Sequence, residues 1–296
     1  VSSHRGRAAL VVIGSGLLFG TTGTAVVLAD TGASSLSVAA ARLFVGSIGL
    51  CAVAALQREW RHLVQLWRKP ATWLMGLSVA GYMALFFMAV STGGVAIASL
   101  VSISLSPFFT ATFARVHGAP WPGRVWVLST VLAISGVALL GAPTDGGSSD
   151  RLLGALLAAG ASASYGMYTV LGARLVAADH HATDALAAGF AVGALLMLPI
   201  LLVDHAWTFT GAGFALAVWL GLAATTTSYI MFGYGITHLA PGIVATLVLS
   251  EPVVATLLGV FVLDEAMPGR GWIGCAAIAT GLILVARNET KGSSRV

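Results

Sequence analysis

Charge is what this chain has least of. Asp, Glu, Lys and Arg make up 9% of its 296 residues, where a soluble globular domain carries about 25%. The few charges fall between apolar runs long enough to cross a bilayer, a distance that takes ~20 helical residues. A soluble enzyme or binding domain is thereby excluded, and a polytopic helical membrane protein is expected. Cysteine is almost missing too. Cys51 and Cys275 both lie in apolar runs, so neither a disulfide nor a metal site is expected. There is no phosphate-binding G-x-x-x-x-G-K-[ST] loop, so ATP is not the direct energy source, and no H-E-x-x-H pair for a zinc hydrolase. Nothing resembles an ion-selectivity filter or a ring of charges. No catalytic residue, metal or cofactor is expected.

What is present is hydrophobic length: 57% of residues are apolar, with 36 glycines. Ten candidate spans run over about 8–29, 35–56, 71–91, 95–116, 124–142, 151–176, 184–203, 212–235, 241–262 and 270–286. His4, Arg5 and Arg7 before the first run resemble the start of a secretory signal, but the run is too long and lacks a clear cleavage site, so it reads as a retained span. The 57–70 connection holds Trp60 and Trp67 among basic residues, which suits a helix lying along the membrane interface. A pI near 9.4 could point to nucleic acid. The positive-inside excess of a membrane protein is the simpler cause, and no nucleic-acid partner is expected. With the N-terminus in the cytoplasm, twelve Lys and Arg fall inside and only Arg42, Arg151 and Arg270 toward the outside. Both termini are therefore predicted to be cytoplasmic.

Acid at membrane depth is rarer still. Glu251 is the only carboxylate there, directly before Pro252 in Leu247 to Leu257. A proline removes a helix hydrogen bond, so a kink is predicted at that point. An intramembrane acid is a functional candidate by default. Ser102 to Thr112 is the counterpart in the first half, with Ser106-Pro107 in the place of Glu251-Pro252. Phe19-Gly20 likewise matches Tyr165-Gly166, Pro122-Gly123-Arg124 matches Pro268-Gly269-Arg270, and Gly136 matches Gly281. All four pairs are 145 or 146 residues apart. Residues 1–145 and 146–296 thus read as two five-helix units. An odd number of crossings per unit inverts the second, and inverted repeats mark secondary transporters. The predicted fold is all-α integral membrane: ten transmembrane helices as two inverted five-helix repeats around a central cavity.

The duplicated unit, the proline-containing fourth and ninth spans and the loops Ala119–Arg124 and Leu263–Arg270 resemble the EamA type of the drug/metabolite transporter superfamily. Leu18–Gly23 and Ser164–Tyr168 are similar to the YddG-type aromatic amino-acid exporters of bacteria. The resemblance implies a basket-shaped inner-membrane protein. Its first, third, fourth, sixth, eighth and ninth helices would line a cavity, and its fifth and tenth are the ones tied to dimer contacts in smaller relatives. It further implies export of aromatic and other apolar or neutral amino acids by alternating access, with another small metabolite or drug as the alternative cargo. The partners would be the amino-acid substrate and membrane lipids, the state monomer or homodimer.

In those lining helices the candidate substrate-binding residues are Tyr82, Phe86, Ser102, Ser106, Tyr165, Tyr168, Thr227 and Glu251. Ser102 and Ser106 share a helix stripe; their hydroxyls could bind an amino acid or only allow close helix packing. The aromatic rings could stack on an aromatic cargo. Thr227 aligns with Tyr82, in a run Thr225-Thr226-Thr227-Ser228 that should turn at least one hydroxyl into a wet cavity, although threonine can also satisfy itself on its own helix. Glu251 could attract an ammonium, couple export to protons, or bond, protonated, to the carbonyl that Pro252 frees. Arg42, about two turns into the second span, could pair with Glu251 or a substrate carboxylate, but snorkelling to the outer interface or bonding to helix-end carbonyls is the expected arrangement. Gly20, Pro107 and Pro252 are candidate hinges.

Overall fold

In lipid every backbone N–H and C=O must find its partner inside the chain, which leaves helices as the economical solution for apolar runs of this length. The computed structural model describes residues 2–57, 60–141 and 151–291, and these contain helices and no strands. The chain runs α1 (Ser2–Ala29), α2 (Ser35–Gln57), short α3 (Trp60–Trp67), α4 (Pro70–Gly93), α5 (Val95–Val116), α6 (Arg124–Gly141), α7 (Arg151–Ala177) and α8 (Ala182–Val203). Then α9 (Gly211–Val218) continues through a π-helical segment, Trp219–Thr227, into α10 (Ser228–His238). Finally α11 (Pro241–Leu247) and α12 (Ser250–Val262) form one interrupted rod, and α13 (Gly269–Lys291) closes the chain. Every apolar run of the sequence is helical. Eight of the resulting rods are long and apolar enough to cross a membrane among the described residues. Arg124–Leu140 is a shorter apolar helix. The remaining rod, α7, has the length, but Ser162, Ser164, Tyr165 and Tyr168 dilute its apolar character.

A short helix forms in the Trp-rich connection. Leu63 and Leu66 of α3 are buried while Trp60 is exposed, and Trp67 Nε1 donates to Ala188 O of α8 at 3.2 Å.

The largest helix contacts come in matched sets. α7 packs on α4 and α5, and its counterpart α1 packs on α10 and α12; α2 and α8 pack on each other, as do α6 and α13. Glycine makes these contacts close. A Cβ on Gly20 of α1 would sit 2.7 Å from Glu251 O and 3.1 Å from Ala255 N. A Cβ on Gly166 of α7 would sit 2.8 Å from Thr110 N and 3.0 Å from Phe109 C. Gly136 and Gly281 seat α6 against α13 backbone to backbone. α6 and α13 thus cover each other within one chain.

The twin prolines do not act alike. α5 runs unbroken across Pro107, one of the candidate hinges. The ninth span is interrupted, but at Val248–Leu249, before Pro252 rather than at it. There the Glu251 N–H donates to Val248 O at 2.9 Å, a tightened turn that satisfies the carbonyl Pro252 cannot reach.

Candidate functional site

The interruption between α11 and α12 faces α4, α5 and α7 across a small cavity. Tyr82, Ser102, Ile103, Ser106 and Tyr165 line one side, and Ala245, Val248, Leu249 and Glu251 the other. About 30 Å³ of it can hold the centre of a water molecule, enough for one or two waters and short of an amino acid. This conformation is closed around its polar groups.

Five of the eight sequence-predicted binding residues meet here: Tyr82, Ser102, Ser106, Tyr165 and Glu251. Ser102 Oγ donates to Ala158 O of α7 at 3.1 Å, and Ser106 Oγ donates to Ile103 O at 2.9 Å. Both hydroxyl protons are used inside the protein, so toward a ligand these groups are acceptors. Glu251 adds a carboxyl beside them. Tyr165 presents a buried hydroxyl with no hydrogen-bond partner among the described residues, and its ring meets Tyr82 edge-on at 6.0 Å. This end of the cavity is rich in acceptors and walled by aromatic rings.

Two further residues stand one layer back. Tyr168 is buried behind Tyr165, its hydroxyl 3.0 Å from that of Tyr229. Phe86 stacks on Tyr82 at 6.2 Å and packs with Ala89, Ala98 and Ala158. Thr227 is not brought in: its side chain is exposed and its hydroxyl donates to Leu222 O. The π-helical turn explains the difference. Thr225, Thr226, Thr227 and Ser228 each donate to the carbonyl five residues back, so the run is rotated relative to an α-helical alignment, and Thr225 rather than Thr227 points inward.

Thr225 meets Arg42, which does not snorkel outward. Arg42 Nε donates to Thr225 Oγ1 at 2.9 Å, and its terminal nitrogens reach Ala224 O at 3.2 Å and Thr22 Oγ1 at 3.4 Å. The guanidinium lies 5.7 Å from the centre of the Phe19 ring. Phe19 in turn packs on Tyr229 at 5.1 Å. No ion pair joins Arg42 and Glu251 among the described residues. The alignment of the repeats marked Phe19, which matches Tyr165, but gave no signal for Thr225 or Arg42; for Thr225 the run of four hydroxyls was the visible hint.

The hinge candidates are placed as follows. Gly20 is pressed on the Glu251 backbone, Pro252 lies in the first turn of α12, and Pro107 is inside continuous α5. The carbonyl freed by Pro252 is taken by a backbone N–H, so a protonated Glu251 is not needed to satisfy it.

Comparison with known proteins agrees with this architecture. The sequence profile of the EamA-like transporter family matches residues 6–142 and again 152–287. The uncharacterized transporter YwfM of Bacillus subtilis is 32% identical over 284 residues, 95% of this chain and 94% of its own. The threonine/homoserine exporter RhtA of Salmonella typhimurium is 28% identical over 85% of this chain and 83% of its own. A solved crystal structure, 24% identical, superposes with a TM-score of 0.78 over 94% of this chain and 96% of that one.

Proposed function

The chain belongs to the EamA-like transporter family, and from that premise we propose that it exports amino acids across the bacterial inner membrane by alternating access. It is a multi-pass membrane transporter, not an enzyme. In this reading ten helices cross the bilayer as two inverted halves, 1–145 and 146–296, with both termini in the cytoplasm. The paired helix contacts, the two profile matches and the matched seats of Gly20 and Gly166 support that arrangement. The cargo is a neutral amino acid. Threonine is favoured by the exporters similar to this chain, aromatic side chains by the rings of Tyr82 and Tyr165.

The observation that carries the reading is Glu251, a carboxyl opening on a cavity at the interruption of a membrane helix. An ionised carboxylate there attracts an ammonium group, and Ser102 and Ser106 offer acceptors to the same group. A proton entering from the other side competes for that carboxylate, so protonation releases the cargo and proton entry drives export. The interrupted ninth span lets its two halves tilt separately. No nucleic acid takes part, and lipid is the solvent of the outer faces.

The test is uptake of labelled threonine, homoserine, phenylalanine, tryptophan and methionine into proteoliposomes, with and without an imposed pH gradient. Saturable uptake, competed by other amino acids and accelerated by the gradient, is the expected result. Glu251→Gln should insert normally and lose the response to the gradient. If it keeps that response, Glu251 is not the coupling group. If folded wild-type protein takes up none of the five, the cargo is another small metabolite or drug.

A further inference from the structure

Arg42 lies two turns into α2 and spends its hydrogen bonds on two threonine hydroxyls and one backbone carbonyl. These are neutral partners. A guanidinium has five N–H donors, so two remain without a protein acceptor among the described residues. A cation in an apolar span is costly and is by default a functional-site candidate; one backbone carbonyl and two hydroxyls leave room on this one for an anionic ligand. Glu251 forms no ion pair with it among the described residues.

The surroundings are arranged to hold the guanidinium in place. Thr225 accepts from Arg42 Nε while donating its own proton to Leu220 O at 2.8 Å. That geometry exists because the π-helical segment turns Thr225 toward α2. Gly46, one turn beyond Arg42, leaves the space that the Thr225 side chain fills. The Phe19 face covers one side of the guanidinium. A planar fork fixed at Nε and backed by a ring presents its free N–H groups in a constant direction, the arrangement that suits a carboxylate. Phe19 packs in turn on Tyr229, and the acceptor end formed by Glu251, Ser102 and Ser106 lies on the cavity that Tyr82 and Tyr165 line.

We propose that Arg42, oriented by Thr225 and Thr22, is the carboxylate-binding end of the transport site, facing the ammonium-binding end at Glu251. The site reads a zwitterion: it requires a carboxylate and an ammonium on the same small molecule, and it rejects amines. This rests on the amino-acid reading above for the ammonium end, whereas the carboxylate end stands on Arg42 alone.

The experiment separates the two. Purified protein in detergent is titrated with phenylalanine, with phenyllactate, which keeps the carboxylate and lacks the ammonium, and with phenethylamine, which lacks the carboxylate. Threonine and its 2-hydroxy-acid analogue form a second series. Binding is read from the thermal midpoint. Wild-type protein should bind the amino acid best, the hydroxy acid more weakly and the amine not at all. Arg42→Gln should lose both carboxylates. Arg42→Lys keeps the charge and the fold but loses the fork, and should weaken carboxylate binding about tenfold. Glu251→Gln should bind amino acid and hydroxy acid equally. A residue that merely pins the π-helical turn would lower the ligand-free midpoint when replaced and leave the ranking of ligands unchanged, which overturns the proposal. So does an amine that binds as well as its amino acid, or a panel in which no carboxylate binds through Arg42. If hydroxy acids bind through Arg42 while amino acids gain nothing from Glu251, the carboxylate end stands and the amino-acid reading falls.

Discussion

Ser106 and Glu251 stand in matching places before a proline, and their side chains account for the different fates of two helices. A proline at position i leaves the carbonyl at i−4 without its donor. In α5 that carbonyl is Ile103 O, and the Ser106 hydroxyl donates to it at 2.9 Å, so the helix continues. In the ninth span it is Val248 O. A carboxylate has no proton to give, the Glu251 backbone N–H takes over, and the rod is interrupted. Ser106→Ala should therefore leave Ile103 O short of a partner, at a cost of about 1 kcal/mol in a thermal or denaturant unfolding measurement. Glu251→Ser should fold and insert, with its hydroxyl free to bond Val248 O, while losing the response of transport to a pH gradient. Gly20 makes a second residue-scale test. A Cβ there meets Glu251 O at 2.7 Å and Val254 Cβ at 2.8 Å, whereas one on Gly23 meets nothing within 4 Å. Gly20→Ala should lower the thermal midpoint and slow transport by wedging α1 off α12. Gly23→Ala should leave transport intact and stabilise by up to about 1 kcal/mol through helix propensity.

At the scale of the element, the π-helical segment of the eighth span is the feature with the largest consequence. Such turns arise where one extra residue is held in an otherwise α-helical rod, and they gather at functional sites. Here the wide turn carries Thr225 to Arg42 and lets Thr226 Oγ1 reach Gly46 O of α2 at 3.1 Å. Deleting Leu222, whose side chain is exposed, should let the segment close into α-helix while α10 keeps its register on α7. The shortened protein should still insert, keep the Tyr168–Tyr229 contact and lose substrate stabilisation, as read from ligand-dependent thermal shifts. The same segment marks the boundary of what the sequence discloses. Helix positions were legible because a run of apolar residues near bilayer length has one inexpensive backbone solution, and α5, for instance, spans Val95–Val116 where 95–116 is predicted. Tyr82, Ser102, Ser106, Tyr165 and Glu251 were legible because the repeat and the prolines point to one depth. Thr227 failed because an alignment at 145 residues assumes the same helical phase in both halves, and a π-turn shifts that phase. The snorkelling expected of Arg42 gives way to an inward path for a related reason: that path depends on Thr225, Gly46 and Phe19 together, residues far apart in sequence whose meeting no spacing discloses.

For the molecule as a whole, the small cavity sets the requirement. Room for one or two waters cannot hold an amino acid, so the halves must part to load it. The α6–α13 seam, backbone against backbone at Gly136, Gly274 and Gly281, is the natural fixed side. The α4–α7 seam is the side to test. It closes at Gly93 and Gly154, where a Cβ on Gly93 would lie 2.9 Å from Gly154 Cα, and in the proposed orientation that contact seals the outer end. Its counterpart in the other half joins α1 to α10, where His4 stacks on His238 at 6.3 Å. Opening one seam while the other stays shut is what alternating access between inverted halves requires. Gly154→Val should force α7 from α4 and bias the protein outward-open. Ser102→Cys, placed in a Cys51→Ala, Cys275→Ala background, reports this in intact cells with a membrane-impermeant thiol reagent. With Gly154 in place the cavity thiol should stay unreactive; with valine it should label from outside, and excess substrate should protect it. Equal labelling with and without the valine, or labelling only from the cytoplasmic face, would place the outer gate elsewhere than the Gly93–Gly154 contact.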